Sequence, residues 1–151
     1  MPGSPTQVLV LHGPNLNLTG FREPDLYGKK DLAEIDEDIH QEAKRLGLAV
    51  RTLQSNHEGV LIDTLHEHRS WAQAVIVNPG ALGHYSYALR DALQALRLPI
   101  IEVHLTNTKA REEFRQTSVI SAVCIGSIQG FGSLGYLLAL RAVTDTGVGE
   151  Q

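Results

Sequence analysis

The sequence predicts a doubly wound α/β fold, a five-stranded parallel sheet with helices on both faces. Three observations carry this. Short, continuously apolar runs recur along the chain, segments with 3.6-residue apolar periodicity separate them, and turn residues close several of the runs. Strands that are apolar on both faces need cover on both, and intervening amphipathic helices supply it. The first strand is Val8-Leu9-Val10-Leu11, stopped by Gly13-Pro14. Asp31 and Glu34 then have the spacing of a capping box. Leu32, Ile35, Ile39, Ala43 and Leu46 follow at offsets of three and four, and Gly47 stops the helix. Residues 48–53 form the second strand, and Leu61, Ile62 and Leu65 mark the next helix. The third strand is 74–77, ending at Asn78-Pro79-Gly80, and 87–96 reads as a helix. Residues 99–104 make the fourth strand, 110–115 a short helix and 122–125 the fifth strand. A closing apolar helix spans 135–143, followed by a frayed polar tail over 144–151.

The chain has 151 residues, 42% apolar and 20% charged. That suits one domain over 1–151, with an ordered core at about 7–143 between polar tails. A net charge of -4 without a basic stripe argues against nucleic acid and anionic membrane as main partners. Cys124 stands alone, which excludes a disulfide framework and a multi-thiolate metal site. The opening Met1-Pro2-Gly3-Ser4-Pro5 lacks a basic n-region, and no run approaches the ~20 apolar residues of a membrane span. A cytoplasmic protein is expected. Five βα units in this length suggest the flavodoxin-like strand order 2-1-3-4-5. Ligands in that order bind beyond the carboxyl ends of the strands, near the switch between the first and third. The segments after Leu11, Val77 and Val103 are therefore the candidates, and all three are rich in polar residues.

The first is a long loop from His12 to Gly28, of a length typical of binding loops, with Gly20 and Gly28 as hinges. Within it Arg22 and Tyr27 can meet. A guanidinium beside a phenol favours the phenolate and makes a general base possible. The bland alternative packs Tyr27 under the loop and pairs Arg22 with Glu23 or Asp25, and the pair alone favours it. In the second segment Asn78-Pro79-Gly80 is turn chemistry first, but Asn78 can also aim its amide into the crevice. His84 either caps the following helix or donates to a ligand. The third segment sets Glu102 and His104 two apart in a strand, hence on one face. A carboxylate there fixes the imidazole tautomer, and such a pair among Ile and Val costs desolvation without packing gain, so a functional role ranks above a structural one. His84, His104 and Glu102 could converge on a metal, but no ligand spacing supports it. Arg111 and Arg115, one helical turn apart, suggest a carboxylate or phosphate clamp. The alternative is a solvated face balanced by Glu112 and Glu113.

Over about residues 7–143 the chain resembles the type II 3-dehydroquinate dehydratases. The resemblance rests on Gly13-Pro14-Asn15-Leu16-Asn17-Leu18, Arg22-Glu23-Pro24 with Leu26-Tyr27-Gly28, and Gln54-Ser55-Asn56-His57-Glu58-Gly59. It continues through Asn78-Pro79-Gly80, Leu89-Arg90-Asp91-Ala92, Glu102-Val103-His104, residues 110–115 and residues 135–140. Each motif is weak alone; their order and spacing are specific. The resemblance implies elimination of water from 3-dehydroquinate through an enolate, giving 3-dehydroshikimate in the shikimate pathway. It makes Tyr27 the proton acceptor at C2, Arg22 the group that favours its phenolate, and His104, held by Glu102, the proton donor to the departing hydroxyl. Asn15 and Asn78 would orient a water at the enolate oxygen. His84, Arg115, Leu105 and Thr106 would bind substrate, with Arg111 supporting from behind. Asp91 would reach a neighbouring subunit's site, because the family assembles as a dodecamer of four trimers. No metal and no other cofactor is implied.

The chain departs from the family pattern at few places. His12 stands where Asn is commoner, before the Gly-Pro turn and outside the chemistry. Leu82-Gly83 replaces an aromatic-Thr pair ahead of His84, Lys109 replaces His and Ala122 replaces Pro. Two other classes remain. A flavin- or phosphate-binding module of this fold needs a Ser, Thr and Gly cradle after the first strand, where Gly-Pro-Asn-Leu-Asn-Leu stands instead. An inactive scaffold is harder to square with Arg22, Tyr27 and His104 all present.

Overall fold

The computed structural model describes residues 3–148. Met1 and Pro2, which belong to the opening segment, and the last three residues of the expected tail lie outside the described residues. The chain runs through β1 (Thr6–His12), α1 (Pro24–Tyr27), α2 (Leu32–Leu46), β2 (Leu48–Gln54), α3 (Glu58–His68) and β3 (Ala74–Asn78). It continues through α4 (Tyr87–Leu96), β4 (Ile100–His104), β5 (Gly126–Gln129) and α5 (Leu134–Asp145). The strands form one parallel sheet in the order β2-β1-β3-β4-β5. Among the described residues, no helix is long and apolar enough to cross a membrane.

Alternation along the strands divides the core into two layers. Val8, Val10, Ala74, Ile76, Ile101 and Val103 face α2 and α5, where Ile35, Ile39, Tyr136, Ala139 and Leu140 meet them. Leu9, Leu11, Val75, Val77 and Ile100 face α3 and α4, against Leu61, Leu65, Leu89 and Leu93. At ~1.5–3 kcal/mol for each large apolar side chain removed from water, these layers dominate the folding free energy. The polar strand ends therefore have to be justified by their own partners. The expected cap of α2 is formed: the Asp31 carboxylate accepts from the Glu34 backbone N–H at 2.8 Å.

The structure differs from the sequence expectation at three places. Residues 121–123 form a 3-10 turn, and the edge strand β5 begins only at Gly126. The apolar run before it is spent elsewhere: Val119, Val123 and Cys124 pack on the α3–α4 layer, while an edge strand needs little burial and draws it from Ile128. The expected helix over 110–115 is instead two 3-10 turns, Thr108–Ala110 and Glu113–Gln116, with Arg111 extended between them. The repulsion of Arg111 and Arg115 across one helical turn is thereby avoided. Finally, α5 continues to Asp145, and Val148 packs on the core and accepts a hydrogen bond from the Thr6 hydroxyl, so the chain is not frayed from 144 to 148.

Candidate active site

The carboxyl ends of β1, β3 and β4 open into one cleft of about 180 Å³. Sheet register builds its floor, setting His12 opposite Asn78 and Val77 opposite Glu102. Where β1 leaves the sheet the backbones nearly touch. A Cβ on Gly13 would lie 2.6 Å from the Pro79 carbonyl oxygen, so only glycine fits, and its N–H donates to the Asn78 carbonyl at 2.7 Å. Asn15 follows with a left-handed φ of 71°. Its N–H donates to the Asn56 side-chain oxygen at 2.9 Å, and Gln54 donates to that same oxygen at 3.1 Å and to the Gly13 carbonyl at 3.2 Å. The Gln54-Ser55-Asn56 motif thus holds the loop that presents Asn15. Sequence reasoning assigns these residues no role, although two amides and a hydroxyl at a strand end are a signal.

Of the residues anticipated at the site, Asn15, Arg22, Tyr27, Asn78, His84, His104, Leu105, Thr106, Arg111 and Arg115 line this cleft. Glu102 and Asp91 do not: Glu102 is buried behind His104, and Asp91 is exposed on α4. Pro24 starts the short helix α1, which ends on Tyr27 and turns the long loop back over the cleft. The Arg22 guanidinium stands 4.5 Å from the Tyr27 ring centroid and that of Arg111 stands 5.1 Å from it. Arg111 is therefore part of the cleft wall rather than behind it, with Nη1 donating to the Thr106 hydroxyl at 3.2 Å. Arg22 also reaches Glu23, but loosely, at 4.0 Å. Two guanidiniums thus stand close to one phenol ring.

Facing this, His104 Nε2 lies 2.6 Å from a Glu102 carboxylate oxygen. Glu102 is 1% exposed and also accepts from the hydroxyls of Ser118, at 2.9 and 3.0 Å, and Ser121. Burial pushes the Glu102 carboxyl up, but the hydrogen bonds from His104, Ser121 and Ser118, with the charge attraction of His104, together outweigh it and hold it below the ordinary carboxylate value. An ionised Glu102 accepts the Nε2 proton, so Nδ1 of His104 is the nitrogen left for the cleft. Ser118 and Ser121 are not among the anticipated residues, since nothing in their local sequence announces contact with a strand some sixteen and nineteen positions earlier.

His84 does not cap α4; the Ser86 hydroxyl does so, accepting from the Leu89 N–H at 3.0 Å. His84 Nδ1 donates instead to the Thr117 carbonyl at 2.8 Å, and its ring stacks on His104 with centroids 6.1 Å apart. Burial lowers its pKa, opposed by the Thr117 bond and helped by the nearby His104 and Arg115, and its Nε2 makes no hydrogen bond among the described residues. The Leu82-Gly83 departure makes the segment before it compact: a Cβ on Gly83 would stand 2.7 Å from the Pro79 ring, and its carbonyl accepts from the Val119 N–H at 2.8 Å.

The cleft thus offers a phenol beside two guanidiniums and a carboxylate-held imidazole, the parts of an acid–base elimination. Comparison with known proteins agrees. The family model for class II dehydroquinase matches residues 6–144. The chain is 57% identical over 137 residues to a 3-dehydroquinate dehydratase from Dictyoglomus turgidum, covering 91% of this chain and 94% of that one. It is 51% identical over 139 residues to the enzyme of that name from Halothermothrix orenii, covering 92% and 94%. The crystal structure of type II dehydroquinase from Butyrivibrio crossotus superposes with a TM-score of 0.91 at 42% identity, over 93% of this chain and 99% of that one. This chain belongs to the class II dehydroquinase family.

Proposed function

We propose that this cleft dehydrates 3-dehydroquinate to 3-dehydroshikimate, the hydro-lyase reaction of the shikimate pathway, with one domain of about residues 7–143 carrying all the proton-transfer groups. The observation that supports this most is the opposition within one cleft of Tyr27, under two guanidiniums, and the His104–Glu102 pair. Tyr27 as phenolate takes the C2 proton alpha to the ketone. The electron pair moves into the carbonyl, and the enolate oxygen is met by a water oriented by Asn15 and Asn78. His104, charged and held by Glu102, gives its Nδ1 proton to the C1 hydroxyl, which leaves as water. His84 and Arg115, with Leu105 and Thr106, hold the substrate's carboxylate and hydroxyls, and Arg111 serves Tyr27.

The working assembly in this reading is a cytoplasmic homo-oligomer, a dodecamer of four trimers. Asp91 serves a neighbouring copy in this reading, which its exposure on α4 outside its own cleft supports. The test of the reaction is turnover of 3-dehydroquinate followed by the ultraviolet absorbance of the conjugated enone, with and without chelator. Tyr27→Phe keeps the fold and removes the base, so turnover is expected to vanish. A near-normal kcat in that variant removes Tyr27 from the role.

A further inference from the structure

Asn78 lines the cleft, yet its amide is oriented from below by groups that the reaction does not touch. Its Nδ2 donates to the Tyr136 hydroxyl at 3.0 Å. That hydroxyl lies 2.8 Å from His12 Nδ1, and His12 Nε2 lies 2.7 Å from an Asp36 carboxylate oxygen. His12 and Tyr136 are both 0% exposed, whereas Asp36 is only half-buried on α2. An unbroken chain of four side chains therefore runs from the protein surface to the cleft.

Hydrogen accounting gives this chain one direction. Asp36 can only accept, so His12 Nε2 carries a proton. Tyr136 already accepts from Asn78, and no other acceptor for its own proton occurs among the hydrogen bonds of the described residues, so it donates to an unprotonated His12 Nδ1. A proton on Nδ1 would leave the buried Tyr136 proton without an acceptor. Burial, together with the Asp36 charge, pushes the Tyr136 hydroxyl far above the ordinary phenol range against the Asn78 bond, so it remains a donor. At the far end, Asn78 Oδ1 accepts from the Gly80 N–H at 3.2 Å, which leaves the second Nδ2 hydrogen as the polar group the amide can offer the cleft.

We infer that Asp36, His12 and Tyr136 are positioning residues that lock the Asn78 amide with its N–H, not its carbonyl, toward the reacting oxygen. The inference deepens the dehydratase reading and rests on it, since an N–H is the group that serves a developing enolate, directly or through a water. A rotated amide would present a carbonyl and repel that charge.

The test combines kinetics with a reading taken on the free protein. Tyr136→Phe and Asp36→Ala are each expected to lower kcat about tenfold with KM little changed, less than the ~10²–10³ for an oxyanion donor removed outright. Asp36→Asn is expected to restore kcat, because its amide oxygen still accepts from His12 Nε2. Nitrogen-15 NMR of the wild type should show His12 protonated at Nε2 alone. A proton on Nδ1 overturns the inference whatever the activity. So does wild-type kcat in both Asp36→Ala and Tyr136→Phe, even with a lowered Tm, because the chain is then only structural. Asp36 is near the surface, so Asp36→Ala remains informative if Tyr136→Phe does not fold. Inactivity of the wild type toward 3-dehydroquinate sinks the dehydratase reading and, with it, this inference; an active wild type with unaffected variants sinks the inference alone.

Discussion

Replacing Glu102 by Gln separates the charge of the His104 partner from its shape. The two Glu102 oxygens accept from His104 Nε2, Ser118 and Ser121. A serine hydroxyl rotates to donate or accept, so the Gln amide nitrogen can turn toward Ser118 and Ser121 while its oxygen keeps the His104 bond. Geometry survives and only the negative charge is lost. The least this costs is the difference between a charged and a neutral hydrogen bond, about 1–2 kcal/mol. The most is the Coulomb attraction between unit charges at the 2.6 Å contact, roughly 6 kcal/mol at an effective dielectric of about 20. At about 1.4 kcal/mol per decade these bounds bracket a kcat loss of roughly 10- to 10⁴-fold, and the buried position places the expectation at about 10²–10³. Initial rates from enone absorbance, with a thermal melt to show that the variant is folded, make the comparison. A folded Glu102→Gln with kcat within about threefold of wild type refutes the argument that His104 works as a charge-stabilised acid.

Ser118→Ala removes a donor to a buried carboxylate and is expected to cost about 1.5–3 kcal/mol in a denaturant titration; an unchanged midpoint shows that Glu102 does not depend on that hydroxyl. The lowered His84 pKa makes a pH prediction. Its folded value lies below the ordinary 6.5, so its contribution to stability is complete above pH 6.5 and is lost as pH falls through the folded value. Glu102, also lowered, has the same sign in a window that opens only below its ordinary 4.5. His84→Gln should therefore flatten the first decline in stability and leave the second, and urea melts across this pH range that retain the first decline assign it to another group. Asp91→Ala is expected to lower turnover without altering secondary structure, and a variant with full activity counts against a site shared between subunits.

The order and type of the main elements are legible in the amino-acid sequence, because continuous apolar runs and 3.6-residue periodicity are local signals of burial. The same holds for the Glu102–His104 pair, since strand geometry alone puts alternate residues on one face. Arg22 and Tyr27 share a short loop, which makes their meeting legible, although the choice between a site and a structural stack is not. The chain-terminal half is less legible. Residues 122–125 look like a strand by composition, but burial beneath α4 competes for them, and the edge position falls to the less apolar Gly126–Gln129. Arg111 and Arg115 look like one helical face, but the backbone breaks between them and brings both to the cleft, Arg111 from the extended link and Arg115 from the second 3-10 turn.

Contacts between groups far apart in sequence come from the packing of the whole chain. Ser118 and Ser121 on Glu102, Gln54 and Asn56 under the Asn15 loop, and Tyr136 between His12 and Asn78 all belong to this class. Such polar partners have no periodicity, because each satisfies a single buried group rather than a repeating face. Local patterning in the sequence is enough to mark most of the strands and helices and the side chains able to carry chemistry. Sheet register and helix docking decided which of those side chains meet and which way their protons point.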